Sequence, residues 1–277
     1  MAGDARELAE VADASVHLVV TSPPYPMIPQ WDSLFASWGA RDFGAMHAEL
    51  ARAWAACRRV LIPGGILAVN IGDALRSGPD GFRVWPNHAE VLRRAESVGF
   101  RPLPYLLWKK PTNRPNAFLG SGFLPPNAYV TLDCEFILLF RNGGLRRIPP
   151  NDPRRMLSRF TKAERDRWFS QVWEGVRGAR QGDRHGRTAA FPSEVPERLI
   201  RMFSLVGDTV LDPFAGTGTT LWAARRWGRR AVGVEIDPVG AAELARRARE
   251  GPTVAGARRG GRSPRRPSAS GNAAPRP

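Results

Sequence analysis

A chain of 277 residues, 43% of them hydrophobic, is long enough to bury one large core. Its two cysteines, Cys57 and Cys134, lie far apart and outside any CxxC or Cys/His cluster, so neither a disulfide framework nor a zinc or other metal site is indicated. The net charge of +15 is uneven: residues 143–187 hold twelve Lys and Arg against five acids, residues 251–277 hold six Arg and no acid, and the remainder is close to neutral. That distribution suits docking on phosphates, although by charge alone a solvated surface explains it equally well. No stretch approaches the about 18 uninterrupted apolar residues of a membrane span. The start MAGDARELAE lacks the basic flank and apolar run of a signal peptide, so a cytoplasmic protein with no membrane partner is expected.

Val16 to Val20 is a β-branched apolar run that ends at Thr21-Ser22-Pro23-Pro24-Tyr25, where two prolines forbid continuation as a central strand. Residues 44–60 carry helical spacing (Met46, Leu50, Trp54, Cys57), followed by the turn Pro63-Gly64-Gly65 and the strand Ile66 to Val69. A helix from Asn87 to Val98 leads to strands at Tyr105 to Trp108 and Cys134 to Phe140. After the basic segment come a helix at Glu194 to Phe203, a strand at Thr209 to Leu211 and the loop Asp212-Pro213-Phe214-Ala215-Gly216-Thr217-Gly218-Thr219-Thr220. A helix to Trp227, the strand Ala231 to Ile236 and a helix from Val239 to Glu250 close the series. Strands alternating with helices predict a mostly parallel sheet covered on both faces. From Gly251 the chain is Gly, Pro, Ser, Ala and Arg, a composition that predicts disorder.

Two loops carry chemistry. In Asp212 to Thr220 the glycines let the backbone approach a ligand, and the following helix points free N–H groups into the same space. Position 221 is Leu, so the GxGxxG spacing is absent, and no P-loop Lys follows. Glu235 ends the next strand about twenty residues on, where a carboxylate accepts hydrogen bonds from ribose hydroxyls or simply charges a helix N-terminus. The second loop, Ser22 to Tyr25, leaves a strand at its carboxyl end, the edge at which ligands gather in open α/β sheets. Its prolines leave carbonyls without competing N–H partners, acceptors that suit an amino group, and Tyr25 offers a face for a base to stack on. As a plain strand exit the same residues would only stiffen the chain.

Together, TSPPY at 21–25 and DPFAGTGTT at 212–220 resemble motifs IV and I of the amino-methylating DNA methyltransferases. Their order, catalytic motif first, resembles the permuted β class. Gly3-Asp4-Ala5, Arg59-Val60-Leu61 through Gly65, Trp108-Lys109-Lys110, Glu135 to Phe140, and His185 through Phe191-Pro192 extend the likeness over residues 3 to 240. The resemblance implies an α/β, Rossmann-like S-adenosylmethionine-dependent fold with circularly permuted motif order. It implies a catalytic half at 1–142, a basic target-recognition insert at 143–187 and a cofactor half at 188–250, ahead of the basic tail.

Carried over residue by residue, it places Phe214, Gly216, Gly218 and Thr219 around the methionine part of S-adenosyl-L-methionine, with Asp212, Thr217 and Thr21 as further cofactor-binding residues. Glu235 falls at the ribose, Asp4 at the adenine edge and Phe191 along the pocket. Ser22 and the carbonyl of Pro23 would hold the amino group of a flipped base while Tyr25 stacks on it, with Pro24 completing the catalytic tetrapeptide. Arg146, Arg147, Arg154, Arg155 and Arg159, with Arg114 and Asn116 of a Pro-rich stretch, would contact double-stranded DNA. A cognate restriction endonuclease is a further partner of such enzymes. Relatives with Ser first in the tetrapeptide lean toward cytosine N4 and those with Asp toward adenine N6. Methylation at cytosine C5 would need a Pro-Cys nucleophile, which neither Cys57 nor Cys134 supplies. An adenine or RNA methyltransferase and a catalytically silent DNA-binding module remain the rival readings. A strand normally precedes the Gly-Asp pair, yet only Met1 and Ala2 do so here, which predicts a poorly held Asp4.

Overall fold

The computed structural model describes residues 1–78, 81–110, 130–176 and 191–250. In chain order these form β1 (Val16–Thr21), α1 (Asp32–Ser37), α2 (Phe43–Val60), β2 (Leu61–Ile71), β3 (Ala74–Gly78), β4 (Gly81–Trp85), α3 (Asn87–Ser97), β5 (Arg101–Pro102), β6 (Leu106–Lys109) and β7 (Cys134–Arg141). There follow α4 (Pro153–Leu157), α5 (Lys162–Trp168), β8 (Val172–Trp173), α6 (Glu194–Phe203), β9 (Thr209–Asp212), α7 (Thr219–Arg226), β10 (Arg230–Gly233) and α8 (Pro238–Glu250).

The main sheet runs β10-β9-β1-β2-β7-β6-β8, with β5 added alongside β7. Strands β10, β9, β1 and β2 are mutually parallel, and β7 lies antiparallel between β2 and β6. Because side chains alternate across a strand, successive residues feed opposite cores. Val19, Leu67, Val69, Leu138, Phe140 and Leu211 pack with Leu50, Trp54 and Cys57 of α2 and Val91 of α3. Their neighbours Leu18, Val20, Ile66, Ala68, Ile137, Leu139 and Val210 pack with Val195, Leu199 and Ile200 of α6 and Ala223 and Ala224 of α7. Helices on both faces of a mostly parallel sheet are therefore the observed architecture.

Three expectations are revised. The strand after the Pro63-Gly64-Gly65 turn begins earlier, since β2 starts at Leu61 and carries the turn residues within it. Gly64 sits at φ +81°, and a Cβ there would come within 2.3 Å of the Arg146 backbone nitrogen, so this position requires glycine. Second, the basic segment is less separate than its charge suggests. Val172–Trp173 pairs with β6, Trp168, Trp173 and Val176 are buried, and the Arg201 guanidinium lies 4.5 Å and 4.1 Å from the ring centres of Trp168 and Trp227. Third, the residues before Asp4 do extend the sheet. Ala2 bridges Glu235 in parallel, the Met1 ammonium donates to the Gly233 carbonyl at 2.7 Å, and Gly3 N–H donates to the Glu235 carbonyl at 3.0 Å. Among the described residues no helix is long and apolar enough to cross a membrane. The tail expected to be disordered lies outside the described residues.

Candidate active site

Strands β1 and β9 are adjacent and parallel, in register at Leu18–Val210 and Val19–Leu211, so their carboxyl ends release the two chemistry-bearing loops side by side. Asp212 joins them. Its carboxylate accepts from the Thr21 hydroxyl at 2.7 Å, the Thr220 hydroxyl at 2.6 Å and the Phe214 N–H at 3.1 Å. The side chain is buried, and burial pushes its carboxyl from 3.8 up to about 6 despite those donors. The folded value lies above the unfolded one, so this group's contribution to stability is fully present below pH 3.8 and is lost as pH rises through about 6. The difference amounts to about 3 kcal/mol. Asp212→Asn is expected to flatten that slope between pH 4.5 and 7; urea midpoints measured across the window, with parent and variant showing the same slope, would refute it.

The glycine loop bends back on Glu235. Gly216 N–H donates to one Glu235 carboxylate oxygen at 2.8 Å and Asp237 N–H to the other at 3.0 Å. Gly218, at φ +85°, precedes α7, whose first turn has neither a side-chain cap nor an acid. Thr217 and Thr219 are half-buried, and the Phe214 ring meets Trp54 edge-on, centres 6.4 Å apart. Asp4 stands next to Gly3 beside this strand end, and its carboxylate is clasped by Arg6, which donates from Nε at 3.0 Å and Nη2 at 2.6 Å. Far from being poorly held, Asp4 is anchored, because Arg6 also reaches Glu49. Phe191 is buried in the apolar cluster beneath α6.

In the other loop, Pro23 and Pro24 are buried, Ser22 and Tyr25 half-buried. The Tyr25 hydroxyl contacts Ser22 Oγ at 3.1 Å, donates to Glu135 Oε2 at 3.0 Å and accepts from Asn70 Nδ2 at 2.8 Å. Asn70 Nδ2 also donates to Glu135 Oε2 at 2.6 Å, while Lys110 Nζ donates to Glu135 Oε1 at 2.7 Å. Burial, reinforced by the Glu135 charge, holds the Tyr25 hydroxyl well above its usual pKa and keeps it protonated. Asn87 anchors the loop exit, donating to the carbonyls of Pro26 at 3.1 Å and Gly72 at 3.0 Å.

Sequence reasoning gave no role to Asn70, Glu135, Lys110 or Asn87. Asn70 did carry a signal: an amide inside the run Ile66 to Ile71, 2% exposed, must find partners or cost a few kcal/mol. The basic side chains divide. Arg146 has an internal partner: its Nη2 donates to Asp208 Oδ1, on a fully buried carboxylate, at 2.9 Å. Arg154 is held by Asp152, with its Nη1 also 3.7 Å from Asp208. Arg147, Arg155 and Arg159 are exposed. Arg114, Asn116 and His185 lie outside the described residues. Arg146→Ala is expected to cost roughly 3 kcal/mol of stability by uncovering the buried Asp208 charge; a thermal melt matching the parent's would contradict that role.

The DNA methylase family model, which groups N6 and N4 methyltransferases, matches residues 16–245. The chain belongs to that DNA methylase family. It is similar to the type II methyltransferase M.MjaI of Methanocaldococcus jannaschii, 53% identical over 264 residues, covering 85% of this chain and 86% of the relative. The type II methyltransferase M.MthZI of Methanothermobacter thermautotrophicus is 42% identical over 250 residues, covering 83% and 70%. Among solved structures, a candidate DNA modification methylase of Thermus thermophilus, in complex with S-adenosyl-L-methionine, superposes with a TM-score of 0.74. It is 42% identical, with 91% of this chain and 95% of that one covered.

Proposed function

We propose that this methylase transfers a methyl group from S-adenosyl-L-methionine to the exocyclic N4 amino group of cytosine in double-stranded DNA. The observation that carries the reading is the Thr21–Asp212 bond, which locks an amino-accepting loop beside a glycine loop at one sheet edge. The donor set fits the cofactor. Glu235 keeps acceptor capacity for ribose hydroxyls beyond its two backbone donors, and the uncapped start of α7 offers N–H groups to a carboxylate. Asp4, fixed by Arg6 beside this strand end, takes the adenine edge, and Phe191 backs the pocket. When bound, the cofactor supplies an electrophilic methyl group on a sulfonium.

The target amino group is paired inside a duplex, so the base is flipped out to reach the loop. Ser22 Oγ and the Pro23 carbonyl accept its two hydrogens, which draws ring-delocalised electron density back onto the nitrogen. Tyr25 stacks on the ring and aligns the nitrogen for direct in-line displacement. The new nitrogen–carbon bond forms as the carbon–sulfur bond breaks, and the surplus proton on nitrogen leaves to water. Exposed Arg147, Arg155 and Arg159 supply phosphate contacts.

Ser22, rather than a carboxylate, at the head of the tetrapeptide favours cytosine N4 over adenine N6. Expression in a methylation-free host, followed by hydrolysis of genomic DNA and nucleoside mass spectrometry, tests this. N4-methylcytosine is expected; N6-methyladenine would keep the mechanism and replace the base, and no modified base would overturn the proposal.

A further inference from the structure

Around Tyr25 the hydrogen bonds have only one consistent direction. Lysine and the amide nitrogen of asparagine can only donate, so Lys110 and Asn70 both donate to Glu135. The Asn70 amide is oriented by this contact, because its oxygen at 2.6 Å from Glu135 Oε2 would be repelled. Glu135 Oε2 also takes the single hydroxyl hydrogen of Tyr25. With that hydrogen spent, the Tyr25 oxygen can only accept, from Asn70 Nδ2 and from its remaining neighbour among the described residues, Ser22. The Ser22 hydrogen is therefore turned inward to Tyr25, and both lone pairs of Ser22 Oγ are left over. Gly72 leaves room for the chain, since a Cβ there would stand 3.2 Å from Tyr25 Cε2 and 3.3 Å from Glu135 Cγ.

We propose that Glu135, set by Lys110 and acting through Tyr25, is a positioning residue that makes Ser22 an obligate hydrogen-bond acceptor and so selects an amino group over a carbonyl oxygen on the incoming base. The inference rests on the methyltransferase reading of this site and adds to it the device that gives Ser22 its polarity. A serine hydroxyl is otherwise ambivalent and would bind an oxo base by donating. A base amino group meeting the hydroxyl hydrogen instead of a lone pair loses the pull on its nitrogen.

Glu135→Gln tests the chain with little change of shape. The Lys110 ammonium admits only the oxygen of the introduced amide, which turns its NH2 group toward Tyr25 and Asn70, so the Asn70 amide turns over with it and presents its oxygen to that group. With the Asn70 oxygen taken by the introduced NH2 group, the Tyr25 hydroxyl accepts from that group, turns its own hydrogen to Ser22, and pushes the Ser22 hydrogen out toward the base. Methyl transfer to unmodified bacterial DNA is expected to fall roughly a hundredfold in kcat, as for loss of one aligned polar group. The KM for S-adenosylmethionine and the thermal midpoint should stay near the parent's. Adding Lys110→Met to E135Q frees the amide to turn back and restores part of kcat, which a merely structural role would not do. In a Tyr25→Phe background, where the chain is already cut, E135Q should have no further effect. An unchanged kcat for E135Q, or losses that multiply with Tyr25→Phe, would overturn the inference.

A readout independent of DNA is the Cζ resonance of Tyr25 in tyrosine-labelled protein, assigned by its disappearance in Tyr25→Phe. It should shift in E135Q and move back with Lys110→Met. An unmoved resonance overturns the chain whatever the parent does to DNA, whereas a parent inactive on DNA with the expected shifts would overturn the methylation reading alone.

Discussion

Gly218→Asp is expected to abolish binding of S-adenosylmethionine, with no heat detectable in a calorimetric titration that saturates the parent. Gly218 sits at φ +85°, where a side chain costs roughly 1–2 kcal/mol, and its Cβ would fall 2.6 Å from Leu244 Cδ1. Leu244 can swing aside, so sterics alone would only weaken binding. The decisive effect is electrostatic. Gly218 is the N-cap of α7, and an aspartate there would accept from the N–H groups of the first turn, the donors that a cofactor carboxylate needs. The variant helix would thus be better capped and the site both filled and negatively charged. Gly218→Ala, which introduces only the conformational strain, should retain measurable affinity. Undiminished binding by Gly218→Asp would remove the start of α7 from the cofactor site.

Tyr25→Ala should lower methyl transfer roughly a thousandfold or more while leaving cofactor affinity almost unchanged. Two losses combine: the stacking surface, worth about 1–3 kcal/mol per base, and the hydroxyl on which Ser22, Asn70 and Glu135 converge. The cofactor loop is untouched, because its link to the catalytic loop runs through Thr21 and Asp212 rather than through Tyr25. Single-turnover transfer of a labelled methyl group, measured beside a binding titration, separates the two quantities. Transfer equal to the parent's would sink the assignment of this loop to catalysis.

Hydropathy reads well where a single strand face or helix stripe decides the structure. The helix Glu194 to Phe203, the strands at Val16, Thr209 and Cys134, and both loops lie where periodicity and turn residues put them. It reads poorly where partners are distant. Val172–Trp173 is too short to show a period and becomes a strand only because β6 offers an edge. Met1 to Gly3 hold Asp4 by pairing with a strand end more than 230 residues away in sequence.

The same contrast governs the active site. The sequence by itself determined the two motifs, their order, the mostly parallel α/β fold and the family, because loops at strand ends carry their chemistry in contiguous residues. Only the tertiary structure decided which charges are free and which way a hydrogen points. Arg146 looks like Arg147 in the chain, yet a buried Asp208 claims the first and leaves the second to solvent. Glu135 and Asn70 meet Tyr25, and Lys110 meets Glu135, from three separate segments, and burying these groups together fixes which of them donates and which accepts, a constraint that no local pattern encodes.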